Sequence, residues 1–213
     1  MLLIMLLSLF LALFLAFGVY VLRFIQQSPV NNVPATTVDQ ERLDLIMGKN
    51  AYGIGTNDPQ LVIVEFGDFA CPYCQQSFST IRQLSTDYFG KIRYIFRDYP
   101  VVSAHSLSLA MASRCAGDQG LYWPMHDKLF INQGVSSPEE ISDLAVQAGV
   151  EPKEFTACMN NEDHLAAIRQ DIIDADALGV DGTPTWFING YKLSGYIPHE
   201  VFVETVEKIL NAN

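Results

Sequence analysis

Basic residues are scarce in this chain of 213 residues, with 13 Lys and Arg against 24 Asp and Glu and a formal charge of −11. Such an acidic body argues against nucleic acid, or an anionic membrane surface, as the main partner. Cysteine is sparse too, with four residues. Cys71 and Cys74 are close together, whereas Cys115 and Cys158 are 43 positions apart and make no second Cys-x-x-Cys. A tetrahedral structural metal site therefore lacks two further ligands at suitable spacing. No internal repeat is present, and no low-complexity segment apart from the N-terminal apolar run. Residues 1–22 contain no charged side chain and no clear Ala-x-Ala follows them. About 20 apolar residues suffice to cross a bilayer as a helix, and a cleaved signal usually has a shorter core and a small-residue cleavage site. Residues 1–25 are accordingly expected to be a transmembrane anchor, with a signal segment as the alternative.

What is present centres on Val62-Ile63-Val64-Glu65-Phe66-Gly67-Asp68-Phe69-Ala70-Cys71-Pro72-Tyr73-Cys74. An apolar strand runs into a brief loop and then a Cys-Pro-Tyr-Cys at the start of a helix. Cys71 falls at the N-cap and Pro72 at the first helical position, where its missing N–H costs nothing. Free amides and the helix dipole favour an anion there, and the thiolate is the nucleophilic form of cysteine. Two cysteines on one helical turn can close a small disulfide, so the stretch is expected to be a dithiol–disulfide exchange site. Half of a zinc site is the alternative. Cys71 is the expected nucleophile, nearer the helix end and more exposed. Cys74, one turn in, would resolve the mixed disulfide. Glu65, six residues before Cys71, would take and return the Cys74 proton if it is buried beside the dithiol. Otherwise it is a strand residue facing water. Asp68 reads as loop surface.

Around this stretch the elements follow hydrophobic period. Residues 26–47 form a polar tether with two prolines, ending in a short helix from Asp39 to Met47. An edge strand is placed around Ala51 to Ile54. Leu61 to Phe66 has the continuous β-branched character of a buried central strand. Pro72 to Tyr88 is the crossover helix and Lys91 to Phe96 a parallel second strand, which makes a βαβ unit. From about 103 to 178 the pattern is helical, with a capping box at Ser137-Pro138-Glu139-Glu140 and a stop at Gly179. So long a helical block between strands is an inserted subdomain. Asn189-Gly190 between two short strands signals a type I′ hairpin, and Pro198 opens a closing helix. His105 and His126 are assigned to packing or helix ends, since no Asp, Glu or Cys set converges on them. Trp123, Met125 and Phe130 are assigned to the insert core, and Tyr99 and Tyr196 are candidates for the active-site rim.

Val64-Glu65-Phe66, Asp68, Cys71-Pro72-Tyr73-Cys74 and Gly182-Thr183-Pro184-Thr185, in that order, resemble the DsbA-like branch of the thioredoxin superfamily, and more narrowly its membrane-anchored thioredoxin-4 type. The likeness covers about 48–211. It implies an α/β thioredoxin fold with an inserted all-helical subdomain, preceded by an N-terminal transmembrane helix. It implies a cis bond before Pro184, so that Thr183 faces the cysteines and pairs with an extended substrate. Pro72, Tyr73, Thr183 and Pro184 are thus the expected substrate-binding set. The family has an acid at the Glu65 position in the proton-transfer role. Related proteins often carry a second disulfide in the helical region, which implies that Cys115 and Cys158 pair. Two buried free thiols are the alternative. A structural disulfide persists only in an oxidising compartment.

The expected activity is that of an extracytoplasmic thiol–disulfide oxidase acting on cysteine-containing exported proteins. The family implies a membrane quinone-linked partner to re-oxidise it. No organic cofactor and no metal are expected beyond the Cys71–Cys74 pair, although some relatives bind calcium. A reductase or isomerase of the same fold is the first alternative, though no dimerisation domain is found. A metal-binding or structural module is the second. Tyr73 stands where the strongest oxidants of the family have His, and the same Cys-Pro-Tyr-Cys occurs in glutaredoxins. Arg23, alone after the apolar run, argues for an N-out span. Disulfide chemistry outside the cytoplasm requires the opposite orientation, and the two signals conflict.

Overall fold

The computed structural model describes Phe17 and residues 39–212. Apart from Phe17, the expected span over 1–25 and the tether up to residue 38 lie outside the described residues. Among the described residues no helix is long and apolar enough to cross a membrane. Helix α1 (Gln40–Met47) has Asp39 at its N-cap, which accepts the Glu41 N–H at 3.4 Å.

Five strands form a single sheet in the order β1-β3-β2-β4-β5. They are β1 (Tyr52–Gly55), β2 (Leu61–Gly67), β3 (Ile92–Asp98), β4 (Thr185–Ile188) and β5 (Tyr191–Ser194). The β-branched run of β2 takes the centre, parallel to β3 and antiparallel to β4. Helix α2 (Pro72–Asp87) crosses over from β2 to β3 and completes the expected βαβ unit. Asn189 and Gly190, at φ of +46° and +87°, are both left-handed, as a type I′ turn demands. Asn189 Oδ1 also accepts the Val62 N–H at 2.8 Å, tying the hairpin to the central strand.

Between β3 and β4 come five helices: α3 (Ser106–Gly117), α4 (Tyr122–Ile131), α5 (Pro138–Gln147), α6 (Pro152–Asn161) and α7 (Leu165–Ala177). The capping box forms at Ser137 and Glu140, and Gly179 follows α7 at φ +69°. A disulfide between Cys115 and Cys158 joins α3 to α6, with the two Cα atoms 5.8 Å apart. The last helix, α8 (His199–Ala212), buries Phe202 and Val206.

Side chains alternate across β2 and divide the core between the two faces of the sheet. Leu61 and Ile63 pack with Phe69, Cys74, Phe96 and the insert, while Val64 and Phe66 pack with Ile46, Ile95 and Phe187 on the other face. Where β3 meets the insert, five buried charges interlock. The Arg97 guanidinium bonds Asp171 at 2.7 Å and Asp174 at 2.5 Å, and Arg114 bonds Asp98 and Asp171, each at 2.5 Å. Arg97 Nη1 also donates to the carbonyls of Leu45 and Ile46 at the end of α1. Buried charges persist only when paired in this way, and removing one partner would leave its mate stranded. The cluster therefore fixes the insert and α1 against β3. Its residues are scattered over some eighty positions, and nothing local in the sequence announces it.

Candidate active site

Cys71 caps α2 with extended backbone (φ −80°, ψ 120°) and Pro72 follows at the first helical position. The pair is in the dithiol form. Both sulfur-bearing residues are buried, Cys71 at 3 % and Cys74 at 1 % exposure, so the expected contrast in exposure is slight. What separates them is bonding. Cys71 Sγ lies 3.3 Å from the Thr183 carbonyl oxygen, to which its thiol donates, and the Thr183–Pro184 bond is cis. The Gly195 N–H donates to the Pro184 carbonyl, which holds this loop against the turn after β5.

The Cys71 thiol is brought down to about 6, chiefly by a hydrogen bond with the Cys74 thiol. Burial opposes this, while the Thr183 side chain and the backbone amides of Cys74 and Tyr73 add to it. Among the described residues the Thr183 hydroxyl has no other hydrogen-bond partner. Cys74 is pushed well up instead, first by burial, then by Cys71 and by the charge of Glu65. One turn of helix therefore separates a stabilised thiolate from a thiol held in its protonated form.

Glu65 shares the inner face of β2 with Leu61 and Ile63 and is buried, not directed to water. Its Oε2 accepts the Tyr94 hydroxyl at 2.6 Å, and Oε1 has no hydrogen-bond partner of ordinary length among the described residues. Burial raises the carboxyl to about 8, against the stabilising hydrogen bonds of Tyr94 and Cys74. Gly67, two residues along the same face, has no side chain. A Cβ there would lie 3.1 Å from Oε1 and 2.5 Å from the Phe96 ring. The position thus keeps the carboxyl pocket open.

Asp68 corrects the sequence reading. It is 1 % exposed and accepts three backbone N–H groups, from Ala70, Val101 and Val102, each at 2.8 Å. It thereby fastens the active-site loop to the segment after β3. Loop acids are usually solvated, and the two distant donors lie more than thirty residues downstream, beyond any local pattern. Tyr99 is likewise not part of the rim, because it is buried with its hydroxyl donating to Asp176 Oδ1 at 3.2 Å. Tyr73, Tyr196, Val101, Val102 and Ile131 are exposed.

Two glutamines without any motif or periodic signature join the insert to this loop. Gln75 Nε2 donates to the Phe130 carbonyl at 2.9 Å. Gln133 Nε2 donates to the carbonyls of Phe69 and Cys71, at 2.9 and 3.0 Å. His126 packs against the rings of Phe69, Phe96, Phe130 and Trp123 and is wholly buried, which pushes its imidazole below the usual range. His105 caps α3. Among the described residues one set could hold a metal by proximity, Cys115, Cys158 and His164, with ligand atoms within 4.8 Å of one another. The two sulfurs are bonded to each other, which removes the thiolates a metal would need.

The family model described as Thioredoxin matches residues 47–208. Among solved structures, the thiol-disulfide exchange protein alpha-DsbA2 from Wolbachia pipientis is similar with a TM-score of 0.72 and 27 % identity, covering 79 % of this chain and 92 % of that one. A thioredoxin-like oxidoreductase from Silicibacter pomeroyi shares the fold, with a TM-score of 0.72 at 24 % identity over 83 % of this chain and all of that one. The Na(+)/H(+) antiporter NhaA 1 of Salinispora arenicola is 36 % identical over 143 residues, 66 % of this chain. The match spans only 22 % of that curated relative's length.

Proposed function

The chain belongs to the thioredoxin family, as a DsbA-like thiol–disulfide oxidoreductase, and from this premise we propose that it is an oxidase that introduces disulfides into exported proteins. The observation that carries the direction is the unequal pair: Cys71 is brought down to about 6 while Cys74 is pushed well up. A stabilised Cys71 thiolate favours the reduced form of the protein, and an exchange protein whose reduced form is stabilised is an oxidant.

In the proposed cycle the protein starts with a Cys71–Cys74 disulfide. A substrate thiolate attacks Cys71 Sγ, the S–S bond breaks, and the electron pair leaves on Cys74. Glu65, protonated at neutral pH with its carboxyl at about 8, supplies the proton that Cys74 takes up. A second substrate thiolate then attacks the substrate sulfur of the mixed disulfide, and Cys71 departs as the thiolate that the helix end stabilises. The substrate loses two electrons and the dithiol gains them. Pro72, Tyr73, Thr183 and Pro184 form the surface that holds the extended substrate. A membrane quinone-linked partner removes the electrons, and no organic cofactor or metal takes part.

An apolar N-terminal anchor over 1–25, a tether to residue 47 and a catalytic domain over 48–211 outside the cytoplasm complete the proposal. The Cys115–Cys158 disulfide supports an oxidising compartment. The antiporter name belongs to much longer relatives, and no ion-transport step is proposed.

The test equilibrates the full chain in graded glutathione buffers, with the dithiol fraction read by alkylation and mass spectrometry and Cys71→Ser as control. A potential toward the strong-oxidant end, roughly −120 mV, supports the oxidase. A value near about −270 mV makes the protein a reductase and overturns the direction proposed.

A further inference from the structure

One amide of the insert has both of its donors engaged on the active-site loop. Gln133 lies in the segment between α4 and α5, and its two N–H bonds end on the Phe69 and Cys71 carbonyls. Neither carbonyl can donate, so the amide nitrogen and not its oxygen must face them. The Cys71 carbonyl also accepts the Gln75 N–H at 3.1 Å, the first hydrogen bond of α2. In return the Gln75 side chain holds the Phe130 carbonyl near the end of α4. The peptide planes on both sides of Ala70–Cys71 are thus clamped from the insert.

Those planes decide where Cys71 Sγ sits relative to the amides of Tyr73 and Cys74, which help hold its thiolate. The positive end of the Gln133 amide dipole also lies on the Cys71 side of the contact. We propose that Gln133 is a positioning residue that sets the acidity of the Cys71 thiol from the helical insert. The proposal rests on the exchange reading above and deepens it, because it makes the insert part of the redox site as well as a cover for the sheet.

The test is the pH dependence of alkylation at Cys71, resolved by peptide mass, in the full-length dithiol protein. Gln133→Met keeps the length of the side chain and removes both donors, and Gln133→Ala is a second donor-less variant. The expected result is an upward shift of the Cys71 titration by about 0.7 units, which lowers the rate of alkylation at pH 6 by about threefold. The melting temperature of at least one variant should stay close to that of the parent, since Gln133 is only half-buried. An unchanged titration in a folded variant overturns the proposal. If the parent itself titrates like an ordinary thiol, the exchange reading fails first. If the parent titrates low and the variants match it, the role of Gln133 alone is refuted.

Discussion

The Tyr94 hydroxyl donates a hydrogen bond to Glu65 Oε2 at 2.6 Å, and both residues are buried. The bond orients one carboxyl oxygen and leaves Oε1 without an ordinary partner beside the high-pKa thiol. Replacing Glu65 by Gln keeps the shape and removes the exchangeable proton. Release of glutathione from a Cys71 mixed disulfide, which needs the Cys74 thiolate, should then slow by about 100-fold. Alkylation of Cys71 should keep its titration, since Cys71 ionises at about 6, while Glu65, at about 8, is still protonated and uncharged. An unchanged rate of release in stopped-flow would take Glu65 out of the proton path.

The same carboxyl should tilt stability with pH. The folded protein keeps the Glu65 proton up to about 8, whereas an unfolded chain gives it up near 4.5. The folded state therefore binds the extra proton between those values, and stability falls as pH rises through them by about 1.4 kcal/mol per unit. Cys71 acts in the opposite sense in the dithiol form. Its thiol ionises at about 6 when folded and near 9 when unfolded, so stability rises across that window. Urea titrations of the disulfide form, in which Cys71 cannot titrate, should lose its rising contribution and fall between pH 6.5 and 8, above the range in which the lowered His126 changes charge. Glu65→Gln should flatten it, and a flat parent profile would contradict the raised carboxyl.

Removing the insert disulfide tests a different part of the molecule. The bond closes a loop of 43 residues between α3 and α6. The double variant Cys115→Ala/Cys158→Ala should lose about 4 kcal/mol on the chain-entropy estimate. The Cys71 titration should stay in place, because neither residue acts on it. Chemical denaturation gives the first quantity and alkylation the second. A shifted titration would mean that the bridge shapes the active site directly.

Asp68→Ala should be costly out of proportion to a loop position. Three backbone donors would lose their buried acceptor. Hydrogen bonds to a charged group contribute about 1.5–3 kcal/mol each, and with relaxation of the loop a total loss of about 3 kcal/mol is expected. Asp68→Asn retains an oxygen acceptor and should recover part of it. A loss below about 0.5 kcal/mol, the range of ordinary surface substitutions, would show that water replaces the carboxylate.

Much of this was legible because it is local. The strand–loop–helix around Cys71, the hairpin at Asn189-Gly190 and the box at Ser137 are each written in one short run of consecutive residues. The long helical block announced itself by period alone. The remainder depends on groups far apart in sequence. Tyr94 reaches Glu65 only because β2 and β3 lie side by side in one register. Asp68 reads as surface until Val101 and Val102 turn their amides toward it. Arg97 and Arg114 have no evident purpose until Asp171 and Asp174 arrive from α7. A glutamine such as Gln133 carries no periodic or chemical signature, so only its two carbonyl partners reveal it.

Helix α2 begins without a conventional capping side chain: Cys71 makes no capping hydrogen bond as a thiol, and its proton points at Thr183. Once ionised, the sulfur can accept from the amides of Tyr73 and Cys74, as Ser or Asp would at an ordinary helix start. The first turn of α2 is therefore expected to be held more firmly by the thiolate than by the disulfide. Slow amide exchange at Tyr73 and Cys74 would mark the thiolate, and faster exchange the disulfide. A partner could then distinguish loaded from spent protein by the first turn of α2 without contacting the sulfurs.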